Sequence, residues 1–114
     1  MQRPRIQHIA INVKAENRNA LAEYYRRVFG MEQKLTSEIG TVYLSDGFVD
    51  VALISTERLP LGINHFGFKV ENVEAVLEAA GTKAESNVYG AVAESWIFDP
   101  EGNRVDVDEH GWPV

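Results

Sequence analysis

Two histidines and two aspartates occupy matched places in this 114-residue chain: His8 with His65, and Asp50 with Asp106. His8 lies in Ile6-Gln7-His8-Ile9-Ala10-Ile11-Asn12-Val13. His65 lies 57 residues later, in Ile63-Asn64-His65-Phe66-Gly67-Phe68-Lys69-Val70. The two stretches match as Ile/Ile, Gln/Asn, His/His, then hydrophobic, small, hydrophobic, polar and Val/Val. Val49-Asp50-Val51 corresponds to Val105-Asp106-Val107 at an offset of 56, a one-residue slip that a loop or β-bulge change produces. A lone histidine on a strand is more often structural than a ligand, but a duplicated one near a carboxylate is a donor set. Imidazole nitrogen and carboxylate oxygen together suit Fe(II), Mn, Ni, Co or Zn. Thiolate zinc sites, iron–sulfur clusters, disulfides and cysteine nucleophiles are excluded, because the chain has no cysteine.

The repeat divides the chain into residues 1–57 and 58–114, and each half reads as a βαβββ module. In the first, His8 to Val13 alternates as a strand, and a helical stripe of Leu21, Tyr24, Tyr25, Val28 and Phe29 follows, closed by Gly30. Three short strands then run over about 32–37, 41–45 and 48–54, punctuated by Ile39-Gly40 and Asp46-Gly47. In the second, residues 64–70 form a strand. Asn72 caps a helix carrying Val73, Val76, Leu77 and Ala80, and Gly81 stops it. Strands over about 83–88, 93–98 and 104–108 complete the order, with Asp99-Pro100-Glu101-Gly102 as a type I turn. Strand parity puts Ile9, Ile11, Val13, Phe66, Phe68, Val70, Val49, Val51, Leu53, Val105 and Val107 towards the helices. His8, His65, Asp50 and Asp106 then share the opposite face, which two curved sheets would turn into a cleft.

The rest of the sequence sets the surroundings. Seventeen acidic against eleven basic side chains give a net charge of −6, which argues against nucleic acid as a partner. The first half holds seven acids and seven bases, the second ten and four, so the net acidity resides in the second module. The longest purely apolar run, Val51-Ala52-Leu53-Ile54, is too short to span a bilayer, and no signal-peptide core follows Arg3 and Arg5. These features point to a cytosolic protein without a membrane partner. Phosphate-binding glycine loops, serine nucleophile elbows and His-Glu-x-x-His helices are all missing. Lys69 shares the His65 face and is placed to hold an anionic group or to be a solvated rim lysine. His110 lies past the last strand, and the parity of Trp96 is poorly fixed.

The sequence resembles the vicinal oxygen chelate superfamily, also called the glyoxalase/bleomycin resistance/dioxygenase fold. The resemblance is carried by His8 in its strand, by Tyr24-Tyr25-Arg26-Arg27-Val28-Phe29-Gly30-Met31, and by Asn64-His65-Phe66-Gly67-Phe68. The stretch Phe98-Asp99-Pro100-Glu101-Gly102-Asn103-Arg104-Val105-Asp106-Val107 is the most specific part. It implies an α+β fold in which paired βαβββ modules form a curved mixed-sheet cup, helices outside, around a divalent metal that binds two vicinal oxygens of a substrate. His8 and His65 match metal-binding histidines. Asp106 stands where the family usually has glutamate, about 1.5 Å longer, so its coordination would take a backbone shift or a bridging water. The fourth position falls on Asp50 by the internal repeat, or on Ala52 if the strand is aligned by its end.

Three functions follow from that resemblance. A glyoxalase-type isomerase or lyase would use the metal to stabilise an enediolate. His8, His65, Asp106 and Asp50 would be its ligands, with Asp50 or Asp106 as the proton-moving base; this is the favoured expectation. An extradiol-type Fe(II) ring-cleaving dioxygenase would use His8, His65 and Asp106 alone, with Ala52 in the fourth place. A metal-free binding or sequestering protein of the antibiotic-resistance kind is the third. The resemblance also implies a homodimer, with a small molecule as substrate.

Overall fold

The computed structural model describes residues 3–37, 40–57, 60–89 and 92–112. Its strands are β1 (Arg5–Val13), β2 (Glu32–Thr36), β3 (Val42–Ser45), β4 (Asp50–Ser55), β5 (Gly62–Lys69), β6 (Glu85–Tyr89), β7 (Val92–Phe98) and β8 (Arg104–Asp108). Helix α1 (Arg18–Phe29) follows β1 and helix α2 (Val73–Ala80) follows β5, so βαβββ occurs twice. The cleft was expected between two sheets. Instead the eight strands form one curved mixed sheet in the order β2-β3-β4-β1-β5-β8-β7-β6. The halves join through the antiparallel β1–β5 ladder. Within each half the first strand runs parallel to the last, β1 with β4 and β5 with β8.

Local chemistry explains the elements. Gly30 and Gly81 end the two helices in the left-handed conformation, at φ 67° and 71°, which costs glycine little. The Asn72 side chain accepts from the Ala75 amide at 3.1 Å and so caps α2. The Asp99 turn closes with the Gly102 amide donating to the Asp99 carbonyl at 2.9 Å. The Asp99 carboxylate accepts from the Asn103 side chain and from the Asn103 and Glu101 backbone amides, and its pKa falls for that reason. Asp46-Gly47 is likewise a tight turn, with the Asp46 carboxylate accepting from Phe48 and Val49. Of the Ile39-Gly40 pair, Ile39 lies outside the described residues.

One face of the first half packs under α1. Val13, Val42, Leu44 and Leu53 are buried there with Ala22 of the helix, flanked by Ile11, Leu21, Tyr25, Met31 and Val51. The opposite, concave face holds a smaller cluster of Ala10, Tyr43, Ala52 and Trp112. No residue of α2 is fully buried, so the two halves are not equally covered. Tyr24, Val28 and Phe29 of the α1 stripe are also substantially exposed. Leu53 is 1% exposed and sits centrally under α1. Leu53→Ala should therefore cost about 2–5 kcal/mol, read as a fall in the urea midpoint with little change in m-value.

Candidate metal centre

Two bulges place two consecutive side chains on the concave face in each half. The β1–β5 register shifts between Ile6 and His8 and again between Ala10 and Ile11, where β5 carries Asn64 as its extra residue. Gln7 and His8, and likewise Asn64 and His65, consequently turn to the same side, against simple alternation. Across the ladder His8 faces Gly67, and His65 faces Ala10. A methyl group at Gly67 would overlap the His8 ring. Each imidazole thus occupies space that a small residue of the other half leaves open.

Backbone anchors fix both rings. The Asn12 amide donates to the Pro60 carbonyl at 3.1 Å, so its oxygen is left to accept from Asn64 at 3.2 Å. The Asn64 oxygen is then 2.6 Å from His65 Nδ1, which must be the donor. In the other half the Trp112 amide donates to the Gln7 oxygen at 3.1 Å, and the Gln7 nitrogen donates to Asp50 at 2.7 Å. That oxygen faces His8 Nδ1 at a long 3.4 Å, and the Trp112 indole stacks on the His8 ring, 3.7 Å between centroids and 14° from parallel. Both rings accordingly turn Nε2, as a lone pair, towards Asp106.

Asp106 Oδ2 lies 3.5 Å from His8 Nε2 and 3.2 Å from His65 Nε2. Two donors each about 2.1 Å from one metal, at 90–110° to each other, stand about 3.0–3.4 Å apart. The aspartate therefore reaches the imidazoles without the backbone shift expected of it, because the donors sit on the neighbouring strands β1, β5 and β8. One donor atom from each residue falls within 4.8 Å of the others, and all three residues are buried. Among the described residues neither Nε2 atom has a hydrogen-bond partner. A buried, unpaired imidazole nitrogen is costly in an empty protein and satisfied by a cation. The residues present fit a divalent metal.

The surrounding charge fits as well. Arg104 donates Nε to Asp106 Oδ1 at 2.9 Å and Nη2 to Oδ2 at 3.2 Å. Nη2 also reaches Glu94 at 2.7 Å, and the guanidinium lies 4.0 Å over the Trp96 ring. Burial alone would raise the Asp106 pKa, but the adjoining His65 and His8 imidazoles and the two hydrogen bonds from Arg104 outweigh it and hold the carboxyl well below its usual range. Two carboxylates, Asp106 and Glu94, against the one guanidinium of Arg104 leave one surplus negative charge beside the imidazoles. Glu94 Oε1 stands 3.9 Å from His65 Nε2. A cavity of about 240 Å³ opens beside these groups, walled by Tyr43, Ala52, Ile54, Glu94, Arg104 and Trp112. Burial, and then the charge of Glu94, raises the Tyr43 pKa, so its hydroxyl keeps its proton.

Asp50, expected as ligand and base, stands outside this cluster. It is buried, and its carboxylate holds Gln7. The register gives the reason. Ala10 pairs with Ala52, whereas Gly67, its repeat equivalent, pairs with Asp106. Ala52, not Asp50, is therefore the counterpart of Asp106, and the Val-Asp-Val match misaligns the two halves. Glu94 and the indole of Trp112 carried no sequence signal of a role. The Gln/Asn match before each histidine did carry one, for the Nδ1 partners. His110 is exposed, beyond β8, and Trp96 faces the concave side with Asp106, its partner in the β7–β8 ladder.

The chain has the fold of the vicinal oxygen chelate superfamily. It is 25% identical to a glyoxalase/bleomycin resistance protein/dioxygenase superfamily member from Vibrio splendidus 12B01, over 93% of this chain and all of that one, with a TM-score of 0.59. A 2,3-dioxygenase from Pseudomonas sp. KL28 superimposes with a TM-score of 0.72 at 19% identity, over 96% of this chain but 41% of that enzyme. Among curated proteins, a probable trivalent organoarsenical cleaving enzyme of Bacillus subtilis (strain 168) is 28% identical over 110 residues, 85% of this chain and 74% of that protein. No protein-family model matches the chain. Among the described residues no helix is long and apolar enough to cross a membrane.

Gly67→Ala should displace the His8 ring and weaken Co(II) or Mn(II) binding by about 100-fold or more, at a stability cost of about 1–3 kcal/mol. Calorimetric titration of the metal-free protein checks the first and urea unfolding the second. Asp50→Ala acts on His8 through Gln7, one contact further out than the groups that hold the ligands. Its metal affinity in the same titration should therefore fall by less than the roughly tenfold or more typical of those groups.

Proposed function

We propose that this chain is a metal-dependent enzyme acting on a small molecule that chelates through two neighbouring oxygens, with His8, His65 and Asp106 as the protein donors. The carrying observation is the pair of buried Nε2 atoms, unpartnered and converging on one carboxylate oxygen. A divalent metal held there supplies Lewis acidity to substrate oxygens, and Fe(II) adds redox chemistry towards dioxygen. The chain's own groups do the rest. Gln7 and Asn64 hold the imidazole tautomers, and Arg104 orients Asp106. Tyr43 offers a protonated hydroxyl on the cavity wall, and Trp112 covers His8. Alanine at positions 10 and 52 leaves the floor free of large side chains, which suits a small substrate.

Three donors, with alanine in the fourth place, favour the ring-cleaving dioxygenase type over the four-ligand glyoxalase type. One observation supports the glyoxalase type as a second reading. Glu94 puts a buried carboxylate at the cavity wall, where a proton-moving base would stand. The organoarsenical activity of the Bacillus subtilis relative transfers poorly. Trivalent arsenic seeks soft thiols, and this sequence has none. What that likeness supports is bond cleavage in a small molecule.

Elemental analysis of protein purified without oxygen or chelators tests the proposal. About one metal per chain is expected, lost in His65→Ala and in Asp106→Ala. Iron supports the dioxygenase type, and nickel, cobalt, manganese or zinc the glyoxalase type. Protein that never holds metal, and whose small-molecule binding survives His8→Ala and His65→Ala, would be a sequestering protein instead.

A further inference from the structure

The segment after β8 divides the concave face into two chambers. Asp108 Oδ1 accepts from the His110 and Gly111 amides at 2.6 and 3.0 Å, turning the chain back over the sheet. The Trp112 amide then ties down on Gln7. Trp112 lines the cavity beside the histidines and also a second cavity, of about 270 Å³, beyond it. The second chamber has a different character. Arg5, Lys34, Lys69 and His110 line it, against one carboxylate, Asp50, which already accepts from Gln7.

We propose that this second chamber binds a small oxyanion, a carboxylate or a phosphate. Three permanent cations meet at one cavity of a chain whose net charge is −6, so composition alone does not produce the cluster. Among the described residues neither Arg5 nor Lys69 has an ion pair. The Arg5 Nη1 atom donates to the Phe48 carbonyl at 2.8 Å, which fixes the guanidinium at the chamber wall. Lys34 pairs with Glu32 at 3.2 Å, a partly exposed contact that an anion can replace at little cost. Lys69 is half-buried, and like-signed charges around a concave, partly desolvated space attract an anion more strongly than they would on a flat surface. Gln7 forms part of the wall and also faces His8 Nδ1, so an occupant of this chamber lies one side chain from the histidine pair. The site does not depend on a metal in the neighbouring chamber.

Amide chemical-shift titration of metal-free protein tests the site, with inorganic phosphate in one arm and acetate in the other. Saturable shifts at Gly47, Lys69 and Gly111 are expected, and the tighter arm identifies the oxyanion. Lys34→Ala/Lys69→Ala should weaken binding about tenfold or more, through loss of two charge-assisted contacts. Arg5→Gln gives an independent second loss. His65→Ala should leave anion binding within about twofold, which separates this site from the metal proposal. Shifts reproduced by chloride at equal ionic strength, or undiminished in the double variant, would overturn it.

Discussion

The whole site depends on one steric exchange across the β1–β5 ladder. His8 faces Gly67 and His65 faces Ala10, so each half of the molecule gives up side-chain volume where the other places an imidazole. Two buried rings 5.3 Å apart at their centroids could not share a sheet face if either small position were filled. The bulges add the second requirement. They let the amide residue before each histidine share its face and fix which nitrogen carries the proton. Geometry and protonation state therefore come from the same local irregularity of the ladder.

Around that pair the electrostatics are arranged to keep a carboxylate ionised in a dry place. Arg104 serves two acids and stacks on Trp96, so its charge is spent within the site. Asp106 keeps its charge because hydrogen bonding exceeds the penalty of burial. Asp50 shows the contrasting use of an acid. Buried to the same degree, it orients an amide that in turn faces an imidazole.

Much of this was legible in the residues. Period-two and helical patterning, the Asn72 cap and the Gly30 and Gly81 stops gave the element order, with edges displaced by up to three residues. The repeat located both histidines, and parity placed Asp106 with them. Parity failed at Gln7 and Asn64, because a bulge breaks alternation and leaves no mark in composition. It also failed to separate Asp50 from Ala52, two residues apart on one face, since only the strand register decides between them. Joining of the halves into one sheet depends on edge pairing between β1 and β5, which apolar patterning does not encode.

The seam between the halves has a thermodynamic consequence. His8 belongs to one side of it, and His65 with Asp106 to the other. A cation gripped by all three is a cross-link, and its binding free energy adds to the docking of the halves by mass action. Ligand occupancy and cohesion of the molecule then become one equilibrium, in which whatever draws the cation away also loosens the joint.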